Sequence, residues 1–273
     1  MNNDCFLVLF HEMNPAAPEF MPYFEKAGEK FGLRCVTEKT VTDKDNILFV
    51  QDRSSRKYEG HKNFLRYPIF NPFDAREKWS SKENQTRLVD YGIPMPKTTV
   101  ITRYDESQIN SLFDDLVKEF GKPFVFKKSL SSRGEGVDLV FNSEQFGTYW
   151  RNDYTVVQQY IAESRGTDIR LYCVGGKIVG AMKRTNKGSF KSNLARGGVG
   201  EAYPVDEKLE DIARRVYDIT HLEIIGIDCL IQGDSYLVCE INSNPGVVGI
   251  NKALGINVTE DVVRHCLERI KNG

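Results

Sequence analysis

The chain has little histidine, no paired cysteines and no long apolar run, and each shortage removes a class of function. Its four histidines, His11, His61, His221 and His265, share no metal-binding spacing with one another or with cysteine, so a histidine-based zinc site is not expected. The six cysteines, Cys5, Cys35, Cys173, Cys229, Cys239 and Cys266, form no CxxC pair. Several lie in apolar strands, where free cysteine behaves as a small hydrophobe, and this suits a reducing compartment. The N-terminal apolar run, Cys5 to Phe10, is too short for a signal or membrane segment and reads as a first buried strand. The expectation is a cytoplasmic protein without a membrane partner. No GxSxG, HExxH or GxxxxGK[ST] occurs, which argues against hydrolases of those types and against a Walker A loop. A net charge of -1 gives no basis for a nucleic-acid partner.

What the chain does have is enough apolar residue, 40% of 273, to build two or three compact units. Residues 1–76 read as a small α/β domain, with strands at Phe6 to Phe10 and Ile47 to Val50 around a helix near Phe20 to Phe31. Pro68, Asn71 and Pro72 then interrupt the pattern. Residues 77–158 begin with a capping box, Ser80 and Glu83, on a helix that Gly92 and Pro94 close. A strand at Lys97 to Ile101 and a helix over 104–120 follow. Two further strands, Phe124 to Lys127 and Val137 to Phe141, flank the loop SLSSRGEG. From Val156 the strands resume as VVQQYI, which runs into residues 159–273, where DIRLYCV and KIVGAMKR are joined by a Gly175-Gly176 turn. An amphipathic helix covers Asp206 to Thr220, and a last helix runs from about Thr259 to Ile270. The fold class is α/β at the start and α+β thereafter.

The stretch GIDCLIQGDSYLVCEINSNPG, residues 226–246, is the most informative. A period of two puts Asp228 on one face of a strand and Glu240 with Asn242 on one face of the next. A three-residue loop, Gly233-Asp234-Ser235, sets Asp228 opposite Glu240. Cys229 and Cys239 should then point the other way, into the core. Two carboxylates so close repel each other unless a cation or proton joins them. Magnesium suits such a site, because it takes one or two carboxylates and fills its octahedron with phosphate oxygens and water. Asn244-Pro245-Gly246-Val247-Val248-Gly249 should form a rigid turn beside the ligands.

Lysine and arginine supply the opposite charge. Lys127 ends an apolar strand just before the Ser/Gly-rich loop, where it can offer a point charge to phosphates. The run KRTNKGSFKSNLAR, residues 183–196, holds no acid. Arg184, Asn193 and Arg196 are its members best suited to phosphate or acyl-phosphate oxygens. Asp168 and Arg170 share a strand face, and the Gly175-Gly176 turn should set Lys183 opposite Asp168.

The order of these pieces, with GTDIR at 166–170, FKSNLARGG at 190–198 and EINSNPGVVGI at 240–250, resembles the ATP-grasp ligases, and among them the RimK-type amino-acid ligases. The resemblance implies two α+β subdomains clamping ATP, preceded by the small α/β domain. It implies that Lys82 and Lys127 contact nucleotide phosphates and that Gln159, Tyr160 and Ile161 line the adenine pocket. Asp168 would lie near the ribose, with Arg170 also in the ATP-binding set. Arg184, Asn193 and Arg196 would hold the phosphates or the acyl phosphate, and Asp228, Glu240 and Asn242 would bind magnesium or manganese. The implied reaction joins a carboxylate to an amine through an acylphosphate, with an amino acid such as glutamate as the amine and a small molecule, peptide or protein C-terminus as the carboxylate. A ligase that crosslinks peptide side chains and an ATP-binding regulator without turnover remain alternatives, and a homo-oligomer is compatible with either.

Overall fold

Three sheets carry the chain in the computed structural model, which describes residues 3–10, 16–54, 59–101, 105–131, 134–194 and 197–272. The first sheet is parallel, with β1 (Asp4–Leu9), β2 (Arg34–Val36), β3 (Asn46–Asp52) and β4 (Ile69–Phe70) in the order β2-β1-β3-β4. Residues Cys5 to Leu9 are all buried, because a parallel strand covered on both faces needs apolar side chains at every position rather than at alternate ones. Helix α1 (Ala17–Lys30) covers one face with Phe20, Phe24 and Ala27, and Phe6 stacks on Phe49 at 5.1 Å.

Two short helices follow, α2 (Phe73–Trp79) and α3 (Lys82–Thr86). The cap of α3 is Ser81 rather than Ser80: the Ser81 hydroxyl accepts from the Asn84 N–H, while Ser80 terminates α2. Glu83 does not close a capping box either, because its carboxylate accepts from the Thr155 hydroxyl at 2.5 Å. The second sheet is antiparallel, with β5 (Thr98–Val100), β6 (Phe124–Lys128), β7 (Val137–Val140) and β8 (Tyr154–Gln159) in the order β5-β8-β6-β7. Helices α4 (Ile109–Phe120) and α5 (Ser143–Trp150) pack on it through an aromatic cluster of Phe113, Phe124, Phe126 and Phe146.

The third sheet, also antiparallel, runs β11 (Val199–Ala202), β10 (Lys177–Thr185), β9 (Thr167–Val174), β12 (Ile224–Gln232) and β13 (Ser235–Asn242) in that order. Its two faces enter different cores. Ile169, Leu171 and Cys173 meet Leu209, Ile212 and Val216 of α6 (Glu207–Thr220). Tyr172 and Val174 join a cluster that holds Phe6 and Phe24 together with Val258 and Val262 of α8 (Val258–Asn272). The first and third sheets therefore share a core. Asn71, which breaks the sequence pattern, is a buried tie between them. Its amide donates to the carbonyls of Ile224 (2.6 Å) and Ser243 (2.9 Å), and its carbonyl accepts from Ile224 N–H. The residues after Pro245 do not stay a turn, since Val248 opens α7 (Val248–Leu254). No helix of the described residues is long and apolar enough to cross a membrane.

Glu223 fastens α8 to this framework. Its buried carboxylate accepts from His265 (2.6 Å), Arg269 (3.1 Å) and the Tyr217 hydroxyl (3.3 Å). Burial alone would raise its pKa, but the His265 bond and the His265 and Arg269 charges outweigh it and hold the carboxyl below its ordinary value. A depressed folded-state pKa adds stability that is present above the unfolded glutamate pKa of about 4.3 and lost as pH falls through the lower folded value. Glu223→Gln is expected to lose roughly 1.5–3 kcal/mol at neutral pH, the range for hydrogen bonds to charged groups. Its stability should also vary less between pH 5 and pH 3 than that of the parent, by urea denaturation across that range.

Candidate active site

The candidate site lies in a cleft of about 720 Å³, mouth included, between the second and third sheets. One wall is β6, with Val125 and Lys127. The back is the end of β8, with Gln158 and Gln159, and the start of the β8–β9 connection, with Tyr160 and Ile161. The far wall is Asp168 of β9, the segment Phe190 to Asn193, and the β12–β13 hairpin with Asp228, Cys239 and Glu240.

The hairpin forms the expected acid pair by a different turn. Gln232 pairs with Ser235 across a two-residue turn of Gly233 and Asp234, with Gly233 at φ +54, where a left-handed backbone favours glycine. An undisturbed two-residue turn would set Asp228 against Cys239. A β-bulge at Cys239 absorbs one residue, so Asp228 pairs with Glu240 while Cys229 pairs with Val238. The bulge also overturns the expectation for Cys239. Cys229 is in the core, but Cys239 lines the cleft, and its carbonyl accepts from Lys127 Nζ at 3.2 Å. Asn242 ends β13 opposite Gly226, on the Glu240 side by the period of two but outside the cleft lining.

Two arginines hold the Asp228 carboxylate. Arg170 grips it with two N–H groups, Nη2 to Oδ2 at 2.7 Å and Nε to Oδ1, and Arg184 Nη2 lies 3.0 Å from Oδ2. Burial would raise the Asp228 pKa, but the Arg170 and Arg184 charges prevail and bring it to about 2. Arg184 also binds Asp168 through Nε (2.7 Å) and Nη2 (2.5 Å). At Asp168 burial prevails, and its pKa is raised. Arg184, not Lys183, faces Asp168, because a second bulge between Ile178 and Gly180 shifts β10 by one residue. Arg170 and Arg184 thus sit behind the cleft wall, joined to its two aspartates.

Lys127 is buried at the cleft wall, where desolvation lowers its pKa, and it donates to the Gln158 carboxamide oxygen at 2.7 Å. Gln158 carries no motif and was missed in the sequence. Its place next to Lys127 follows only from the β6–β8 pairing, in which Val125 faces Gln158. Lys82, the first residue of α3, reaches the rim, donating to Ser131 O (2.9 Å) and lying 3.2 Å from Glu240 Oε1. Asn193 lines the cleft, whereas Arg196 lies outside the described residues. Gly198 is required by its own chain: a Cβ there would stand 2.3 Å from Ser192 O. Lys191 crosses to the loop before β7, donating to Gly134 O at 2.9 Å.

The donor set fits a hard cation held jointly with phosphates. Asp228 and Glu240 are cross-strand partners on one cleft wall, but among the described residues no group of three histidine, cysteine, aspartate or glutamate side chains could form a complete protein cage. Magnesium needs no such cage when phosphates supply the other oxygens. The buried Tyr160 hydroxyl, on a cleft-lining residue, has no partner, as expected of a group that meets a ligand.

Known proteins place this geometry. Residues 75–266 match the RimK-like ATP-grasp domain. N-acetylaspartylglutamate synthase A of Homo sapiens is 32% identical over 200 residues, covering 71% of this chain and 49% of that protein. The ribosomal protein bS6–L-glutamate ligase of Salmonella paratyphi B is 34% identical over 197 residues, covering 70% of this chain and 63% of that protein. The chain thus spans about half to two thirds of the length of these relatives. The ATP-grasp ligase PsnB, solved with a phosphomimetic variant of its minimal precursor, Mg and ADP, aligns over 98% of this chain and 99% of that chain with a TM-score of 0.70 at 12% identity. That likeness shows the ATP-grasp fold across nearly the full chain, and with the family match it establishes that the chain belongs to the RimK-like ATP-grasp family.

Proposed function

We propose that this chain is an ATP-dependent carbon–nitrogen ligase that joins an amino acid such as glutamate to a carboxylate by way of an acylphosphate. The observation that carries the reading is the cleft itself: Lys127 shares its lining with the Asp228–Glu240 pair and Lys82 meets Glu240 at 3.2 Å, with no serine, cysteine or histidine arranged as a nucleophile with its base among the described residues. Such a site acts by positioning and charge. Glutamate appears in the names of both curated relatives, which supports it as the amine.

In this reading Lys127 and Lys82 hold the nucleotide phosphates, Gln159 to Ile161 and Tyr160 take the base, and Asp168 lies near the ribose. Magnesium or manganese, when bound, neutralises charge on the transferring phosphoryl group. Asp228 and Glu240 on the cleft wall, with Asn242 beyond its lining, are the residues that would hold it. Asn193, on the cleft lining, meets the transferring oxygens, and Arg184 acts on them from behind the wall through Asp168 and Asp228; Arg196, outside the described residues, is assigned to the same oxygens by the family resemblance alone. A substrate carboxylate oxygen attacks the γ-phosphorus and ADP departs. The amine then attacks the acyl carbon, loses a proton, and phosphate leaves with the former carboxylate oxygen. The protein forms no covalent bond.

The test is to incubate the protein with ATP, magnesium, each of the twenty amino acids in turn and a peptide ending in Glu, reading ADP release and product mass. Release that depends on one amino acid, with a peptide heavier by that residue, is expected. A peptide lighter by one water would identify a crosslinking ligase instead, and no amino-acid-dependent release would refute the reading.

A further inference from the structure

The N-terminal sheet lies outside the family match at 75–266 and has a binding edge of its own. In open parallel sheets, ligands sit beyond the carboxyl ends of the strands where the strand order reverses. In the order β2-β1-β3-β4 that point lies between β1 and β3, and Arg53 is the first residue past β3, its N–H bonded to Leu9 O at 2.7 Å. Its side chain, 8% exposed, crosses to the turn after β13, where Nη2 donates to Pro245 O at 2.8 Å. Phe20 and Phe24 hold the guanidinium over their rings at 5.7 and 5.9 Å.

Among the described residues this arginine has no carboxylate of its own. The neighbouring Asp52 accepts from Ser54 N–H (2.8 Å) and Oγ (2.5 Å) and pairs with Arg76 at 3.0 Å. No carboxylate of the described residues lies within ion-pair distance of Arg53, and its Nε has no acceptor. A buried cation left in this state costs several kcal/mol. Two more buried polar atoms beside it lack well-aligned partners: the hydroxyl of Tyr172, which faces the guanidinium, and Oδ1 of Asn244, the residue before Pro245. The spot adjoins the chemistry. Tyr172 pairs with Gly226, and a Cβ on Gly226 would stand 3.0 Å from Pro245 and 3.2 Å from Nη1 of Arg170, which grips Asp228.

We propose that Arg53, Tyr172 and Asn244 form the subsite for the α-amino acid that supplies the amine. Arg53 Nε–H and the Tyr172 O–H donate to its α-carboxylate, and Asn244 Oδ1 accepts from its amine. Two donors and one acceptor match the two ends of an amino acid, whereas a lone carboxylate leaves Asn244 unmatched, and nucleotide phosphates already have Lys82 and Lys127. The inference rests on the ligase reading above.

The test compares L-glutamate with its α-amide as amine, at saturating ATP and with a peptide ending in Glu, for the parent, Arg53→Lys and Tyr172→Phe. The parent should favour the free acid. Arg53→Lys should raise the KM for glutamate at least tenfold, leave the KM for ATP unchanged and erase most of the preference over the α-amide. Tyr172→Phe should move the same way by a smaller factor and leave the KM for ATP unchanged. Variants that keep the parent's KM and preference would overturn the subsite alone. A parent that releases no ADP with any amino acid would overturn the ligase reading and the subsite with it.

Discussion

Glu240→Gln should lower ATP-dependent turnover by roughly a hundredfold or more, the loss seen when a principal charge stabiliser is removed, while the Tm stays within a few degrees of the parent's. The separation of effects follows from its surroundings. Glu240 has 29% of its side chain exposed, and Lys82, which pairs with it at 3.2 Å, keeps the Ser131 carbonyl and hydroxyl as acceptors when the charge is gone. Partly exposed ion pairs add little to stability. Asp228→Asn should cost turnover as heavily but also destabilise the fold. Its carboxylate is buried under Arg170 and Arg184, and breaking a buried pair by removing one charge typically costs about 3–5 kcal/mol. The two variants together separate metal chemistry from architecture, read by initial rates of ADP release and by thermal melting. A Glu240→Gln protein with parental turnover would remove the metal assignment.

Lys127→Ala should weaken ATP binding roughly 10- to 100-fold, matching the 1.5–3 kcal/mol of a hydrogen bond to a charged group, and should leave the nucleotide-free Tm unchanged or slightly raised. Lys127 is a buried cation whose partners, the Gln158 carboxamide and the Cys239 carbonyl, are both neutral. Desolvation already works against its charge. The empty protein therefore loses little when the ammonium is removed, and a bound polyphosphate loses its counter-charge. Calorimetric titration with ATP checks the first part. Equal affinity in parent and variant would place the phosphates elsewhere.

The alternation of apolar and polar residues in β12 and β13 placed Asp228 on one face of the first and Glu240 with Asn242 on one face of the second, and an expected three-residue loop made Asp228 and Glu240 partners, as they are. The path to that pairing was not legible. A bulge at Cys239 adds one residue to a strand without changing its composition, so a three-residue loop and a two-residue turn with a bulge predict the same acid pair and differ only in where Cys239 points. The same cause moved Arg184 into the place expected for Lys183. The arginine cover on Asp228 was hidden for another reason. Arg170 reaches it because β9 lies beside β12, with two strands between them in sequence and no tight turn joining them to announce the pairing. Helices α5 and α7 are only 8 and 7 residues long, too short for a helical period to rise above the noise of single positions. Arg53 meets Pro245 across 192 residues, a contact that no local pattern encodes.

The fate of one oxygen atom tests the ligase reading most directly. A peptide ending in Glu, with its carboxylates labelled with heavy oxygen, is incubated with ATP, magnesium and the amino acid that stimulates ADP release, and the phosphate and peptide are examined by mass spectrometry. Passage through an acylphosphate predicts one labelled oxygen in each phosphate released and a peptide that gains one amino-acid residue while losing one label. Phosphate free of label, or AMP and pyrophosphate in place of ADP and phosphate, would contradict it.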